Sequence, residues 1–560
     1  MAEKVWLRWY DSGVPEHIDY PNQTAHQFLV HSAQRFGDHV CCYYKEHAFT
    51  YQQMDWLSTQ LAKALMSMEV KKGDPVGILL ANTPQFVLSF YGILKAGGVV
   101  VAMNPAYQQR ELSFQLSDSG IRVLICAEDR VPLIHSIFSA SGLSQLLVTA
   151  DAQLDDLLKL ATGQPVEPCV RESVGCDQSL VKLLDQNKES QVLLPAVEPD
   201  DVAIFQYSGG TTGIPKAAEG THRNLTANTL QFQSWLPGLN AGEEVVLAAI
   251  PLFHVYGMVI ALSMGIALGA SIVLEPNPRN IQSILEQVQE YKVTLLPGVP
   301  NLYNAINHHE WVRQGQVRLT SIKACISGSA TLMKETKQTF EELTGGKLME
   351  GYGLSEAPTA THCNPMFGEN RIGSIGLPLP DVDAEIVSLE DGQTRLPANT
   401  PGELIVRGPQ VMRGYHNMIS ETEKTLIDGW LYTGDVAYMD EDGFFYLVDR
   451  KKDVIKVGGL QVWPKEVEQV ISEHPNVAEV GVAGVVRPEI GERVKAWVVK
   501  KRDVRLTAEE VKTWCGTFLA RYKVPDTVVF IDTLPKSTVG KLLRRELIRL
   551  DDEEEEKTPR

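Results

Sequence analysis

The chain has 560 residues, of which 44% are hydrophobic and 22% charged, and carries a formal net charge of −18. Such a length requires two to four structural units with ample core. The acidity excludes nucleic acid as a general partner, because no broad basic field offsets it, and it lends nothing to attachment on anionic lipid.

Eight cysteines stand at 41, 42, 126, 169, 176, 325, 363 and 515. None forms a CxxC or Cys/His ligand spacing, so free thiols in a reducing compartment are expected rather than zinc or a dithiol. The first residues lack a basic start followed by an apolar core, which predicts no secretory signal and a cytoplasmic protein.

Val40 to Tyr44 reads as a strand, Tyr51 to Met68 as a helix, Val76 to Leu80 as a strand, Pro84 to Ala96 as a helix and Gly97 to Met103 as a strand. This alternation is the signature of a parallel α/β sheet. Residues 150–200 are polar and weakly periodic, which predicts an insertion or loop region. A second α/β round runs from 200 to 350, with strands at Val202–Phe205, Val245–Ile250, Ala270–Leu274, Val293–Leu296 and Ile322–Ile326. Two rounds predict two stacked or adjoining sheets.

Val255 to Leu274 holds no formal charge and is long enough to cross a bilayer. Its three glycines and its strand-like end predict instead a buried helix, a turn at Gly269 and a buried strand. After 370, short glycine-punctuated strands at 402–408 and 443–448 predict a small β-rich subdomain. Mixed α/β character returns from about 453, with a helix at Pro464–His474 and strands at Val477–Val486 and Val494–Val499. Six consecutive acids, Asp551 to Glu556, read as a solvated tail.

Ser208-Gly209-Gly210-Thr211-Thr212-Gly213-Ile214-Pro215-Lys216 concentrates glycines, hydroxyls and a lysine just after a strand. Glycines expose backbone N–H groups in tight turns and hydroxyls donate to oxyanions, a combination suited to polyphosphate. A Walker loop needs Gly-Lys-Ser/Thr at its end, whereas here Pro215 precedes the lysine and Ala217 follows it. Glu350-Gly351-Tyr352-Gly353-Leu354-Ser355-Glu356 places a ring, two glycines, a hydroxyl and a carboxylate together. Further groups are Gly434-Asp435, Asp449-Arg450-Lys451-Lys452-Asp453, Gly458-Gly459, Pro251-Leu252-Phe253-His254, Gly298-Val299-Pro300, Ser327-Gly328-Ser329 and Pro535-to-Lys541. Singly, each has an ordinary reading as turn, cap or charged linker.

Together and in this order, from about residue 50 to 546, these motifs resemble the adenylate-forming superfamily, and most closely its bacterial long-chain fatty acyl-CoA synthetases. The phrases Thr221-His222-Arg223-Asn224 and Gly373-to-Pro378 carry that finer likeness.

The resemblance implies an α/β fold. Residues 1–450 would form a large N-terminal domain of two α/β subdomains and the β-rich one. Residues 451–550 would form a small mobile α+β lid, after a hinge at 449–453 and before an acidic tail at 551–560. It implies ATP, Mg2+ and CoA as cofactor and cosubstrates, with a fatty acid as substrate.

The same resemblance distributes the site residues. Ser208, Gly209, Gly210, Thr211, Thr212, Gly213 and Lys216 would hold phosphates, and Gly328, Ser329, Gly351, Tyr352, Gly353 and Ser355 the adenine and phosphate. Asp435 and Arg450 would hold the ribose, and Glu356 with Thr211 the metal. His254, Gly298 and Val299 would border the acyl pocket; apart from the resemblance, a long acyl tail needs an apolar tunnel, for which residues 228–275, with Trp235 as a gate, are the candidate. Lys452 would be the hinge and Gly458 and Gly459 the pantetheine passage. Lys541, Thr211, Glu356 and His254 would serve catalysis. Aryl or medium-chain acids, a carrier-protein acceptor, a luciferase-like oxygenase and a non-catalytic nucleotide or acyl sensor stay open, as do a homodimer and peripheral membrane contact.

Overall fold

Thr50 starts the first long helix, Tyr51–Ser67, by a reciprocal cap: its hydroxyl accepts from Gln53 N–H at 3.2 Å, and the Gln53 side chain accepts from Thr50 N–H at 2.8 Å. Thr221 and Asn224 repeat the device at His222–Trp235, the helix that follows the glycine-rich loop. The computed structural model describes residues 4–166, 177–208, 215–457, 460–487, 491–537 and 541–557. Cys169, Cys176, Gly209, Gly210, Thr211, Thr212, Gly213, Gly458, Gly459 and the segment 538–540 lie outside the described residues.

The chain folds as two compact units: Trp6–Asp383 with Arg407–Leu431, and Met1–Val5 with Ala384–Val406 and Tyr432–Arg560. The first unit contains two α/β sheets. One runs in the order Gly414–Tyr415, Lys216–Thr221, Val202–Ser208, Val99–Ala102, Pro75–Leu79, Val123–Ala127, Gln145–Thr149 and Asp177–Ser179. From Val202–Ser208 onward its pairings are parallel, while Lys216–Thr221 folds back antiparallel.

The other sheet pairs His47–Thr50, Val40–Tyr44, Ser271–Leu274 and Val245–Ala248 in that order. It continues through a parallel bridge at Leu295 to Ala324–Ser327 and then Lys347–Leu354. The core beneath it includes Leu247, Val273, Leu285, Tyr303, Phe340 and Leu348.

The division of strands differs from chain order. Val40–Tyr44 and His47–Thr50 belong to the second sheet, and Val202–Ser208 joins the first. Val293–Leu296 makes only an isolated bridge at Leu295 rather than a strand.

The polar region 150–200 is more ordered than its composition implies. Leu154–Ala161 and Leu180–Asn187 are short helices that bury Leu157, Leu160, Leu180 and Leu184, and Asp177–Ser179 adds an edge strand. Few apolar residues at helical spacing suffice when a neighbouring surface covers them.

Gly257–Ser263 is a π-helical stretch continued by the helix Met264–Ala267, and both are buried. Gly269 then turns at φ +66°, where a Cβ would come within 2.3 Å of the Phe36 ring, and Ser271–Leu274 follows as a strand. Among the described residues, no helix is long and apolar enough to cross a membrane. Cys41, Cys42, Cys126, Cys325, Cys363 and Cys515 are free and buried.

In the second unit, Gly402–Arg407, Trp430–Met439 and Phe445–Arg450 form most of a β-rich sheet. Beyond it, Val477–Arg487 pairs antiparallel with Gly491–Lys500, which pairs parallel with Thr527–Phe530. The helices Pro464–Ser472 and Ala508–Phe518 cover this sheet through Val467, Ile471, Val511 and Cys515.

The acidic tail requires a correction. The helix Arg544–Lys557 runs through it, Leu547 is fully buried, and Asp551 is buried against Lys495. Glutamate is a good helix former, and one apolar contact plus one buried ion pair anchor the first turns.

Candidate functional site

The glycine-rich loop connects two antiparallel strands whose register sets Ser208 opposite Lys216. The loop therefore leaves the carboxyl end of Val202–Ser208, the edge where open α/β sheets bind ligands. Glu356 arrives from a second hairpin, between Lys347–Leu354 and Ala357–Cys363. Ser208 Oγ donates to Glu356 Oε1 at 3.4 Å, and Tyr415 OH donates to the same oxygen at 2.7 Å. Burial, then the Glu356 charge, raises the Tyr415 phenol well above its ordinary range, so it stays a donor. Lys216 Nζ lies 5.1 Å over the Tyr415 ring and 2.5 Å from Glu421 Oε2.

The hairpin that carries Glu356 is closed by glycine. A Cβ on Gly353 would stand 1.6 Å from the Thr359 carbonyl oxygen, so only glycine permits the two strands to approach. Tyr352 is buried on the same hairpin, with the His362 ring edge-on at 6.0 Å. Burial drives that histidine down to about 3, so it backs the tyrosine as a neutral ring. Gly353→Ala is expected to open the hairpin at a cost of about 1–3 kcal/mol or more and to displace Glu356. Lost ATP binding at a temperature where circular dichroism still reports a folded chain is the measurement, and unchanged ATP affinity would contradict it.

His254, Gly298 and Gly328 meet around Tyr256. The Tyr256 hydroxyl is 3.0 Å from the Gly298 carbonyl and 2.6 Å from that of Ile326. Gly328 N–H donates to the Gly298 carbonyl at 3.2 Å, and a Cβ on Gly328 would crowd the Tyr256 ring at 3.3 Å. Ser329 takes φ +70° just beyond. His254 Nδ1 accepts from Tyr256 N–H at 3.2 Å, so in the neutral ring the proton sits on Nε2. Val299 caps the helix Pro300–His308. These loops follow the parallel strands Val245–Ala248 and Ala324–Ser327 and the bridge residue Leu295 between them. Trp235 is buried, with Nε1 donating to the Asn364 carbonyl at 3.1 Å and Tyr10 edge-on at 4.9 Å.

In the second unit, Asp435 and Arg450 are cross-strand partners, and Arg450 Nε lies 2.6 Å from Asp435 Oδ1. Lys541 N–H donates to Ser537 Oγ at 3.1 Å, while Lys541 O accepts from Ser537 N–H at 2.8 Å. The neighbouring Arg450 charge, with loss of hydration second, lowers the Lys541 ammonium to about 8, against the pull of Asp435. Lys452, 3.9 Å from Asp453, is also lowered, by burial first. Asp449 is buried and bonds Arg450 N–H at 2.8 Å and Lys465 N–H at 2.8 Å.

Residues 29–416 match the AMP-binding enzyme family, and residues 466–541 match the AMP-binding enzyme C-terminal domain. The chain belongs to the AMP-binding enzyme family. It is 40% identical to the long-chain-fatty-acid–CoA ligase of Bacillus subtilis (strain 168), over 99% of this chain and 99% of that one. It is 37% identical to the ligase of the same name from Escherichia coli O6:H1, over 97% and 98%. Among solved structures it resembles the anthranilate CoA ligase AuaEII in complex with anthranoyl-AMP, with TM-score 0.82 and 25% identity over 95% of this chain and 98% of that one.

In this AMP-binding enzyme the metal expectation fits the donor chemistry. Glu356 and Ser208 offer hard oxygen atoms within 3.4 Å of each other. Among the described residues no group of three or more His, Cys, Asp and Glu could hold an ion. One carboxylate completed by nucleotide oxygens is an ordinary shell for Mg2+. Tyr415, Glu421 and Tyr256 are the contacts that motif reading missed. Tyr256 lies only two residues after His254, but its role in joining three loops depends on a fold in which residues 256, 298 and 326 meet.

Proposed function

We infer that the chain is an AMP-forming fatty acyl-CoA synthetase acting on long-chain acids with ATP, Mg2+ and CoA. The observation that carries this reading is the full-length relation to long-chain-fatty-acid–CoA ligases. The cluster of Ser208, Lys216 and Glu356 supports it.

The reaction has two steps. A substrate carboxylate oxygen attacks the α-phosphorus of ATP, an acyl–phosphate anhydride bond forms, and pyrophosphate leaves. The CoA sulfur then attacks the acyl carbon, a thioester forms, and AMP leaves with the anhydride electrons. Ser208, Lys216 and the loop 209–213 bind the β- and γ-phosphates, and Tyr352, Ser355, Gly351, Gly353, Gly328 and Ser329 border the adenine and α-phosphate. Glu356 and Thr211 would hold Mg2+, which when bound would supply charge neutralisation at the phosphates.

Asp435 is a buried carboxylate suited to accept from ribose hydroxyls, with Arg450 beside it. His254, Gly298 and Val299 border the acyl group. Lys541 orients the carboxylate and stabilises charge at phosphorus. The segment at 449–453, with Lys452, is the hinge on which residues 451–550 turn between half-reactions, and Gly458 and Gly459 line the pantetheine path. Such a turn gives each half-reaction its own wall and keeps the anhydride from water.

Acids from butyrate to stearate, with cinnamates, scored by CoA-dependent AMP release, test the reading. Each buried methylene is worth about 0.8 kcal/mol, so palmitate is expected to exceed butyrate in kcat/KM by about tenfold or more. A preference for cinnamates would overturn the long-chain assignment, and the absence of acid-dependent ATP–pyrophosphate exchange would overturn the enzymatic one.

A further inference from the structure

Lys216 is held away from solvent, with its side chain 15% exposed, and its ammonium sits between the Tyr415 ring and Glu421. Glu421 lies on the short helix Ile419–Thr425 and is more open, at 34%, with a second partner in Lys424 at 2.8 Å. Tyr415, just before that helix, donates to Glu356. The contacts thus run without a break from Glu421 through Lys216, Tyr415 and Glu356 to Ser208. The hydrogen bonds from Lys216 and Lys424 hold the Glu421 carboxyl at about 2, so it is ionised throughout the physiological range.

We propose that Glu421 is the resting counterion of Lys216 and sets nucleotide affinity, because the ATP polyphosphate must take Lys216 from it. This rests on reading Lys216 as a polyphosphate ligand. Two anions compete for one ammonium, and the better-hydrated, more exposed carboxylate is the one able to withdraw, since Lys424 remains to pair it. The rest state keeps Lys216 paired while the site is empty, at the expense of affinity. Glu421 is therefore a positioning residue that touches no reacting atom.

The test is calorimetric titration of the full chain with ATP and Mg2+, without acid, for the unaltered protein, Glu421→Gln, Glu421→Asp, Lys216→Gln and the double variant Lys216→Gln/Glu421→Gln. Removing one competing negative charge at a partly screened site is expected to tighten ATP by about three- to tenfold. Glu421→Asp should return towards the unaltered affinity, Lys216→Gln should weaken binding, and Glu421→Gln should gain little once Lys216 is gone. In turnover assays the KM for ATP should fall in Glu421→Gln while the KM for the acid stays unchanged, a split that a merely structural role would not produce.

If Glu421→Gln leaves binding unchanged or weakens it while Lys216→Gln weakens it, the counterion role is wrong and the phosphate reading stands. An equal gain with and without Lys216 would also overturn displacement, because Glu421 would then act by repulsion alone. If Lys216→Gln leaves ATP affinity unaltered, the phosphate reading itself fails and the proposal falls with it.

Discussion

Replacing Lys541 by alanine is expected to lower acid-dependent ATP–pyrophosphate exchange by about 10²–10³-fold, while thioester formation from supplied acyl-AMP stays within about threefold. The asymmetry follows from where charge develops. In the first step two anions, a carboxylate and a triphosphate, must approach each other, and a cation at the α-phosphorus offsets both their repulsion and the charge of the transition state. In the second step AMP departs from an anhydride already formed, so that cation has less to do. Equal loss in both half-reactions would refute this division.

The lowered ammonium adds a pH signature. Lys541 is a cation below about 8 and loses its proton as pH rises through that value, because Arg450 disfavours a second positive charge beside it. Adenylation, followed as kcat/KM for ATP in the free enzyme, should therefore fall on the alkaline side with an apparent midpoint near 8. Lys541→Arg, charged at every accessible pH, should lose that falling limb whatever its absolute rate. A limb that persists in the arginine variant would assign the titration to another group.

The second large effect is on stability. Asp551→Ala is expected to destabilise the unit containing Tyr432–Arg560 by about 3–5 kcal/mol. Asp551 and Lys495 are buried partners, at 5% and 4% exposure, and Lys495 lies 5.1 Å over the Trp497 ring. Removing the carboxylate takes a buried partner from an ammonium packed over Trp497, and breaking such a buried pair is far costlier than the pair is valuable. Replacing both partners with apolar residues, Lys495→Met with Asp551→Leu, should recover most of the loss. Scanning calorimetry of the full chain checks both variants. An unshifted transition in Asp551→Ala would mean that the tail is solvated after all.

That pair also marks the limit of reading composition. Six consecutive acids look like solvated chain because nothing local distinguishes the first from the rest. Only the placement of strand Gly491–Lys500 under the helix Arg544–Lys557 sets Asp551 against Lys495, fifty-six residues away. The helices in the 150–200 region were hidden for a related reason. Leu157, Leu160, Leu180 and Leu184 form short apolar faces within polar surroundings, and it is the covering surface that makes them helices.

Periodicity, by contrast, is local, and it located the long elements to within a few residues. The helix Tyr51–Ser67 and the strand Val40–Tyr44 are examples, as is the turn at Gly269 that separates a buried helix from a buried strand in a stretch long enough to span a bilayer.

The order of motifs along the chain determined the family, because each motif is a run of adjacent residues whose chemistry can be read without a fold. It also set the glycine-rich stretch apart from the Walker pattern, since Pro215 and Ala217 are simply the wrong residues for it. What only the tertiary structure decided is which side chains stand beside the reading frame of those motifs. Strand pairing across the sheet of Val202–Ser208 and Lys216–Thr221 brings Gly414–Tyr415 alongside, and with it Tyr415 to Glu356 and Glu421 to Lys216. These contacts join residues separated by up to 205 positions. No window of sequence contains them, because they arise from sheet register and not from neighbourhood along the chain.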